Sequence, residues 1–257
     1  MPPPPLKWAG GKRWLAPSLR KLYAPFRKRR LVEPFVGGMS VALGLHPRKA
    51  LLCDINPHAI YFYKWLQKGL RIESVMENSA ACFYRNRERF NWLLAQGDAA
   101  SAEASGLFYY LNHTAYNGLC RFNNKGFFNV PFGKYAKIKY RREFEEYKRC
   151  LAGWEFRCCD FEEIKLRRGD FVYSDPPFDV EFTKYAKEDF TWKDQARLVK
   201  WLAAHPGPVV ASNQATPRIM DLYSKHGFKI QVLSAPRMIS CTGDRTRVRE
   251  MLALKNL

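Results

Sequence analysis

The sequence predicts an α/β protein built on a doubly wound sheet, split by an inserted helical unit that carries a β-hairpin. Three observations point there. An apolar strand at Leu31 to Phe35 runs through a glycine turn and a short helix into a second apolar strand, Ala50 to Asp54, which closes on an acid. From Asn56 to about Tyr116 strand and helix cease to alternate, and amphipathic helical patterns rich in aromatics take over. Alternation resumes at Glu155 and continues along the rest of the sequence.

Taken in order, a helical pattern follows Gly10-Gly11 from Arg13 to about Tyr23 and stops at Pro25, whose ring cannot continue a helix. The basic run Arg27-Lys28-Arg29-Arg30 leads into the first strand. Val36-Gly37-Gly38-Met39-Ser40 then lets backbone approach a ligand, and the strand-end acid Asp54 is placed to bind ribose hydroxyls, the opening unit of a nucleotide-binding sheet. Helical patterns follow at Ile60 to Gln67, Cys82 to Leu94 and Gly106 to Leu111. In Arg121 to Val130, Asn-Asn-Lys-Gly sits between aromatic-flanked arms, with Pro131 and Gly133 beyond, which reads as a β-hairpin with an exposed basic tip. The sheet resumes with strands at Glu155 to Cys158 and Asp170 to Ser174, and a helix from Trp192 to Ala204. A strand at Pro208 to Ser212, a helix at Pro217 to His226, and closing strands at Phe228 to Leu233 and Arg247 to Leu254 complete it. The expected division is a first part of the sheet domain at 1–55, an inserted helical part at 56–147, and a second part of the sheet domain at 148–257.

Hydrophobic residues make up 47% of the 257 positions and aromatics 15%, which supports a packed core and excludes a disordered chain. Lys and Arg number 43 against 24 Asp and Glu, leaving +19, a charge that calls for a polyanionic partner, nucleic acid ahead of an anionic membrane. The cysteines (Cys53, Cys82, Cys120, Cys150, Cys158, Cys159, Cys241) are odd in number and lack Cys-x-x-Cys spacing, so neither a disulfide framework nor a zinc ribbon is expected. His46, His58, His113, His205 and His226 share no ligand spacing, and no metal is expected. The start, Met1 to Leu6, is a proline run without signal-peptide layout, and no apolar run reaches the length of a membrane span. A monomer in a reducing, bacterial-type cytosol is the expectation, nucleoid-associated or phage-encoded.

The chemistry is expected at Ser174-Asp175-Pro176-Pro177-Phe178, directly after an apolar strand and hence at the carboxyl edge of the sheet. An exocyclic amine on a base is a poor nucleophile, because its lone pair is delocalised into the ring. The Asp175 carboxylate and the Pro176 carbonyl could accept its hydrogens while the lone pair turns toward an electrophile, and Phe178 could stack on a base drawn out of a duplex. In isolation, Asp-Pro-Pro reads more readily as only a turn after a strand.

In the company of the other motifs the sequence closely resembles the Dam-type DNA adenine methyltransferases, of class D12 and the alpha group. Four stretches carry the likeness: Leu6-Lys7-Trp8-Ala9-Gly10-Gly11-Lys12; Glu33-Pro34-Phe35-Val36-Gly37-Gly38; Tyr116-Asn117-Gly118-Leu119-Cys120-Arg121-Phe122-Asn123 with Phe128-Asn129-Val130-Pro131-Phe132-Gly133; and Asp175-Pro176-Pro177-Phe178. Phe182-Thr183-Lys184-Tyr185 with Phe190-Thr191, Ser212-Asn213 and Thr246-Arg247 are further family-like elements. The resemblance implies a Rossmann-like S-adenosylmethionine-dependent methyltransferase sheet, methylating the exocyclic amine of a flipped adenine in double-stranded DNA, usually within GATC. By the same resemblance Trp8 and Lys12 contact the cofactor, Phe35, Gly37 and Gly38 form its loop, Asp54 holds its ribose, and Asp160-Phe161 lie near its adenine. Asp175 is the catalytic acceptor and borders the cofactor. Toward DNA, Lys7 matches a contact to the first guanine, Tyr116 and Asn117 enter the duplex near the target, and Arg121 reads a guanine. Leu119 and Pro131 match contacts to a thymine methyl, and Asn123 and Lys134 join the DNA-facing set.

Two departures stand out. Phe178 replaces the more usual tyrosine, keeping a stacking face without the hydroxyl. Lys134 and His113 stand where relatives often carry arginine, which lysine does not replace as a bidentate group. The basic clusters at Arg27 to Arg30, Lys137 to Arg142 and Arg245 to Arg249 read singly as solvated faces and together as phosphate attraction. A nicotinamide-dependent enzyme is disfavoured by the absence of G-x-G-x-x-G. A catalytically silent DNA-binding protein of the same fold, or an amine methyltransferase acting on another base or on RNA, stays open.

Overall fold

The computed structural model describes residues 2–179, 190–236 and 248–257. The elements expected at Phe182 to Tyr185 and at Thr246-Arg247, and the cysteine Cys241, lie outside the described residues. The strands are β1 (Leu31–Glu33), β2 (Ala50–Asp54), β3 (Trp154–Cys158), β4 (Phe171–Ser174), β5 (Val209–Gln214), β6 (Lys229–Ala235) and β7 (Val248–Lys255). They form one seven-stranded sheet in the order β3-β2-β1-β4-β5-β7-β6. The first five neighbours run parallel, and β7 joins β5 and β6 antiparallel. From β1 the chain winds one way to β2 and β3, then crosses to β4 and winds the other way. The crevice between β1 and β4 is therefore the switch point at which doubly wound sheets bind ligands.

Alternation of side chains builds a separate core on each face. Ala50, Leu52, Phe171, Tyr173, Val210 and Leu252 point to one side, where α1 (Ala16–Tyr23), α2 (Ser40–Leu45) and α3 (Pro57–Lys68) cover them. Leu51, Cys53, Val172, Val209, Ala211 and Met251 point to the other, under α7 (Trp192–Ala204) and α8 (Pro217–Lys225). At about 1.5 to 3 kcal/mol for each fully buried large aliphatic side chain, these two layers outweigh any single polar contact in holding the sheet.

Between β2 and β3 the chain forms α3, α4 (Ala80–Ala95), α5 (Ala102–Thr114) and α6 (Glu145–Leu151). Because β2 and β3 are paired, Ala50 with Trp154 through Asp54 with Cys158, the chain rejoins the sheet beside the strand it left. The helix starts are capped by short polar side chains. Asn56 accepts from the His58 and Ala59 amides ahead of Pro57, while Ser79 and Ser101 accept from Cys82 and Ala104.

Two local expectations are corrected. β1 stops at Glu33 rather than Phe35, since Pro34 has no N–H to give a neighbour. The expected hairpin has no strands and only an isolated bridge between Phe122 and Phe128. Side chains take over its backbone groups: Asn123 Oδ1 accepts from the Lys125 and Phe127 amides, and Asn91 of α4 both accepts from the Phe128 amide at 2.8 Å and donates to its carbonyl at 3.1 Å. Across the arms the Asn123 amide donates to the Phe127 carbonyl at 2.9 Å and the Asn129 amide to the Arg121 carbonyl at 3.2 Å, and the pairing extends no further. The tip, Asn123 to Gly126, is exposed as expected.

Candidate active site

At the switch point a cavity of about 580 Å³ opens, lined by several segments of the chain. Trp8 to Lys12 come from the N-terminal segment, Phe35 to Gly38 from the end of β1, Asp54 from the end of β2, and Asp175 to Phe178 from the end of β4. Asp160 and Phe161 complete the wall after β3. The structure thus brings the expected cofactor and catalytic residues around one space.

Asp175 is the electrostatic centre. Its Oδ1 accepts from Ser212 Oγ at 2.7 Å and lies 3.0 Å from Lys12 Nζ, and Ser212 is itself paired with Tyr173 through their hydroxyls at 2.8 Å. Lys12, 2% exposed, also donates to the Gly10 carbonyl at 2.9 Å and lies 3.7 Å from Glu250 on β7. Burial pushes the Asp175 carboxyl up from the usual range, with Lys12 and Ser212 opposing that rise. Burial also raises Glu250, and it pushes Glu33 at the end of β1 well up, a shift the Asp175 charge reinforces. Glu33 and Glu250 each keep one buried carboxyl oxygen without a hydrogen-bond partner, and of the two Glu33 is pushed further up, having no ammonium beside it.

The loop after Asp175 is held from behind. Gln195 on α7 donates to the Pro177 carbonyl at 2.8 Å and accepts from Asn213 on β5 at 3.1 Å. Pro177 is thereby occupied, and the adjacent acceptor, Pro176, is fixed between two rigid rings. The Phe178 ring centre lies 4.7 Å from Lys12 Nζ, a cation–π approach that needs only the aromatic face.

On the opposite wall the glycine loop follows the indole of Trp8. A Cβ on Gly37, at φ 45°, would lie 2.7 Å from Trp8 Nε1, and one on Gly38 would lie 2.8 Å from Trp8 Cβ. Asp54 Oδ2 accepts from the Gly37 amide and Oδ1 from the Asn56 amide, each at 2.9 Å, and Tyr63 donates to the Gly37 carbonyl. Each carboxylate oxygen keeps a lone pair for a hydroxyl. Burial raises the Asp54 carboxyl, opposed by the backbone amides. Phe35 stands 5.9 Å from Phe161 and 5.4 Å from Phe190 between ring centres, an apolar corner suited to a flat ring. Both Asp160 carboxylate oxygens meet Arg197 of α7 at 3.1 Å, so the side chain is engaged in structure.

The residues expected to face DNA cluster on the insertion. Tyr116 is 50% exposed and Leu119 41%, and Arg121, Asn123, Pro131 and Lys134 are exposed. Asn117 and Lys134 hold left-handed backbone, at φ 53° and 51°. Arg121 Nε donates to Asn129 Oδ1 at 2.9 Å. Lys7 is turned inward: its Nζ donates to the His113 carbonyl at 2.7 Å and sits 3.7 Å from the Tyr135 ring centre, and burial pulls its pKa down. His113 is no stand-in for a charged arginine. Its ring packs 4.2 Å from Tyr109, and burial pushes its pKa down to about 4.

Sequence reasoning missed several members. Glu250, Gln195 and Arg197 reach the site from β7 and α7, far along the chain, with no local motif to mark them. Asn112 was also silent, yet its buried amide accepts from the Lys7 amide and donates to the Lys7 carbonyl, both at 2.8 Å. A buried amide inside an apolar helix was its one available signal.

The family model for D12 class N6 adenine-specific DNA methyltransferases matches residues 8–239. The DNA N-6-adenine-methyltransferase of Escherichia phage P1 is 35% identical over 93% of this chain, which spans only 33% of that longer protein. The DNA adenine methylase of Vibrio cholerae is 36% identical over 97% of this chain and 94% of its own length. Among solved structures, one described as a candidate RNA methyltransferase from Pyrococcus horikoshii aligns with a TM-score of 0.45 and 11% identity, covering 94% of this chain and 79% of that one. On the family match and the full-length relative, this chain belongs to the D12 class N6 adenine-specific DNA methyltransferases.

Proposed function

We propose that this chain transfers a methyl group from S-adenosylmethionine to the N6 amine of an adenine flipped out of duplex DNA, within GATC. The observation that carries this is Asp175, placed opposite the glycine loop across one cavity, with Oδ1 held by Lys12 and Ser212 and no hydrogen bond to Oδ2 among the described residues.

The cavity fits the cofactor on its own features: about 580 Å³ of space, two glycines whose Cβ atoms would strike Trp8, an acid with spare acceptor capacity at Asp54, and the Phe35–Phe161 corner. When bound, S-adenosylmethionine supplies a methyl group on a sulfonium sulfur, which becomes a neutral thioether as the new N–C bond forms. Trp8, Gly37 and Gly38 shape its seat, Asp54 takes its ribose hydroxyls, and Phe35 with Phe161 flanks its base. Toward the adenine, Asp175 Oδ2 accepts one amine hydrogen and the Pro176 carbonyl the other, which frees the lone pair from the ring. Phe178 stacks on the extruded base. The amine loses one proton in the reaction, and Asp175 is the group positioned to receive or pass it on.

On the DNA side, Lys7 and Arg121 would read guanine edges, Leu119 and Pro131 the thymine methyl, and Tyr116 and Asn117 would fill the space the adenine leaves. Asn123 and Lys134 add contacts beside them. We place the enzyme as a monomer in a bacterial-type cytosol. Among the described residues no helix is long and apolar enough to cross a membrane. Incubating the chain with S-adenosylmethionine and plasmid DNA, then digesting to nucleosides, tests the reading. N6-methyladenine, with protection from a GATC-cleaving nuclease that methylation blocks, supports it, and unmodified adenine overturns it.

A further inference from the structure

A second cavity, also about 580 Å³, lies at the opposite end of the parallel strands. Its wall includes Arg20, Tyr23, Arg27, Lys28, His46 and Arg48. The backbone places it at the amino edge: the Leu31 amide opening β1 bonds to the Lys49 carbonyl at 3.0 Å, and the Phe171 amide opening β4 bonds to the Arg30 carbonyl at 2.9 Å. Arg27, Lys28 and Arg48 are exposed, and among the described residues none is ion-paired.

The imbalance has a sequence origin. From Met1 to Asp54 the only acids are Glu33 and Asp54, which end β1 and β2 at the far edge. The amino-edge acid Asp170 is consumed by Arg30, whose guanidinium grips both carboxylate oxygens at 2.9 and 2.7 Å. Arg167 and Arg168, exposed just before β4, extend the same positive edge. Guanidinium groups around a concave space match phosphate oxygens in geometry as well as charge. None of the large exposed hydrophobics among the described residues lines this cavity, and Leu257, beyond β7, is a single apolar side chain at the same edge.

We propose that this cavity is a second DNA site, which docks the phosphate backbone of another duplex segment while the first occupies the cleft at the carboxyl edge. The choice of DNA rests on the function proposed above. The five residues of β2 separate the two edges by about 17 Å of strand, before loops are added. The amino-edge cavity is therefore separate from the cleft at the carboxyl edge and shares no lining residue with it. Two segments held at once would let the enzyme pass between stretches of DNA without complete release.

The test uses the full chain saturated with a short GATC duplex, to which a labelled duplex lacking GATC is added. Sedimentation separates one chain with two duplexes from one chain with one. The expected result is a two-duplex complex that the R27A/K28A/R48A variant loses by at least tenfold in affinity. Its log–log salt slope should fall by about 2 to 3, from roughly 0.9 per phosphate contact. The R27K/R48K variant should retain the complex, which controls for folding. Methyl transfer to the short duplex should stay within about twofold in the triple variant, so a failed methyltransferase assay is read separately from failed second binding. One duplex per chain, or a two-duplex complex indifferent to the triple variant, overturns the proposal. So does pyrophosphate displacing the second duplex at micromolar concentration, which would mark a small-phosphate site. Binding to phosphatidylglycerol vesicles through these residues, without a second duplex, overturns it as well.

Discussion

Lys12 and Asp175 meet at 3.0 Å across the junction of the N-terminal segment and the end of β4. Five residues earlier in the same segment, Lys7 is clasped by the Asn112 amide and caps the His113 carbonyl on the insertion. One short stretch of chain therefore fixes the acceptor carboxylate at one end and the exposed Tyr116–Leu119 loop at the other.

Removing the ammonium should strand Asp175. In Lys12→Met the carboxyl loses its main opposing charge, its pKa rises further, and the ionised acceptor is lost at a higher pH than in wild type. Turnover should fall by about a hundredfold or more at pH 7 and recover partly at higher pH. A pH-independent loss would show that Lys12 acts otherwise.

The raised Asp175 carboxyl sets the acid limb of the wild-type profile. The ionised form is the stronger acceptor and the one able to take up the amine proton, so single-turnover methyl transfer should decline, as pH falls, from above the ordinary carboxylate range. Stability runs the other way. Glu33 has a folded-state pKa well above its unfolded value, so its contribution is complete below the unfolded pKa and is lost as pH rises through the folded one. Glu33→Gln should therefore flatten the alkaline side of a Tm-against-pH curve, and an unchanged slope would remove Glu33 as its source.

The glycine loop offers a steric test. Gly37→Ala sets a Cβ against the Trp8 ring in a left-handed backbone, and the loop or the indole must move. Calorimetry should show at least tenfold weaker S-adenosylmethionine binding with DNA affinity little changed. Equal losses for both ligands would point instead to a general folding defect.

At Phe178 the ring face is what the site uses, through Lys12 at 4.7 Å. Phe178→Tyr should alter the rate by no more than about threefold, whereas Phe178→Ala should cost about tenfold or more. Parity between the alanine variant and wild type would end the stacking role.

Much of this arrangement was legible in the sequence because the informative residues are local. Leu31 to Asp54 spell strand, glycine turn, helix, strand and acid in sequence order, and Asp-Pro-Pro directly follows an apolar run. What stayed hidden depends on partners distant in the chain. Glu250 reaches Lys12 because β7 pairs antiparallel with β5, setting Gln214 opposite Glu250, a register no local pattern records. The hairpin arms meet only at the Phe122–Phe128 bridge, and the anchoring of the Phe128 backbone by Asn91 of a separate helix is likewise a contact that no local pattern records. His113 stands where relatives often carry arginine, and its burial against Tyr109, which pushes its pKa down to about 4, is a feature of the packing alone.

The most direct test of the central claim follows labelled methyl transfer from S-adenosylmethionine to duplexes containing GATC, and to matched duplexes with one base of the site changed, using wild type and Asp175→Ala. The account predicts label on the GATC adenine with wild type alone, while the variant still binds both DNA and cofactor. Turnover retained in Asp175→Ala, or wild-type protein that binds GATC without transferring label, would contradict it.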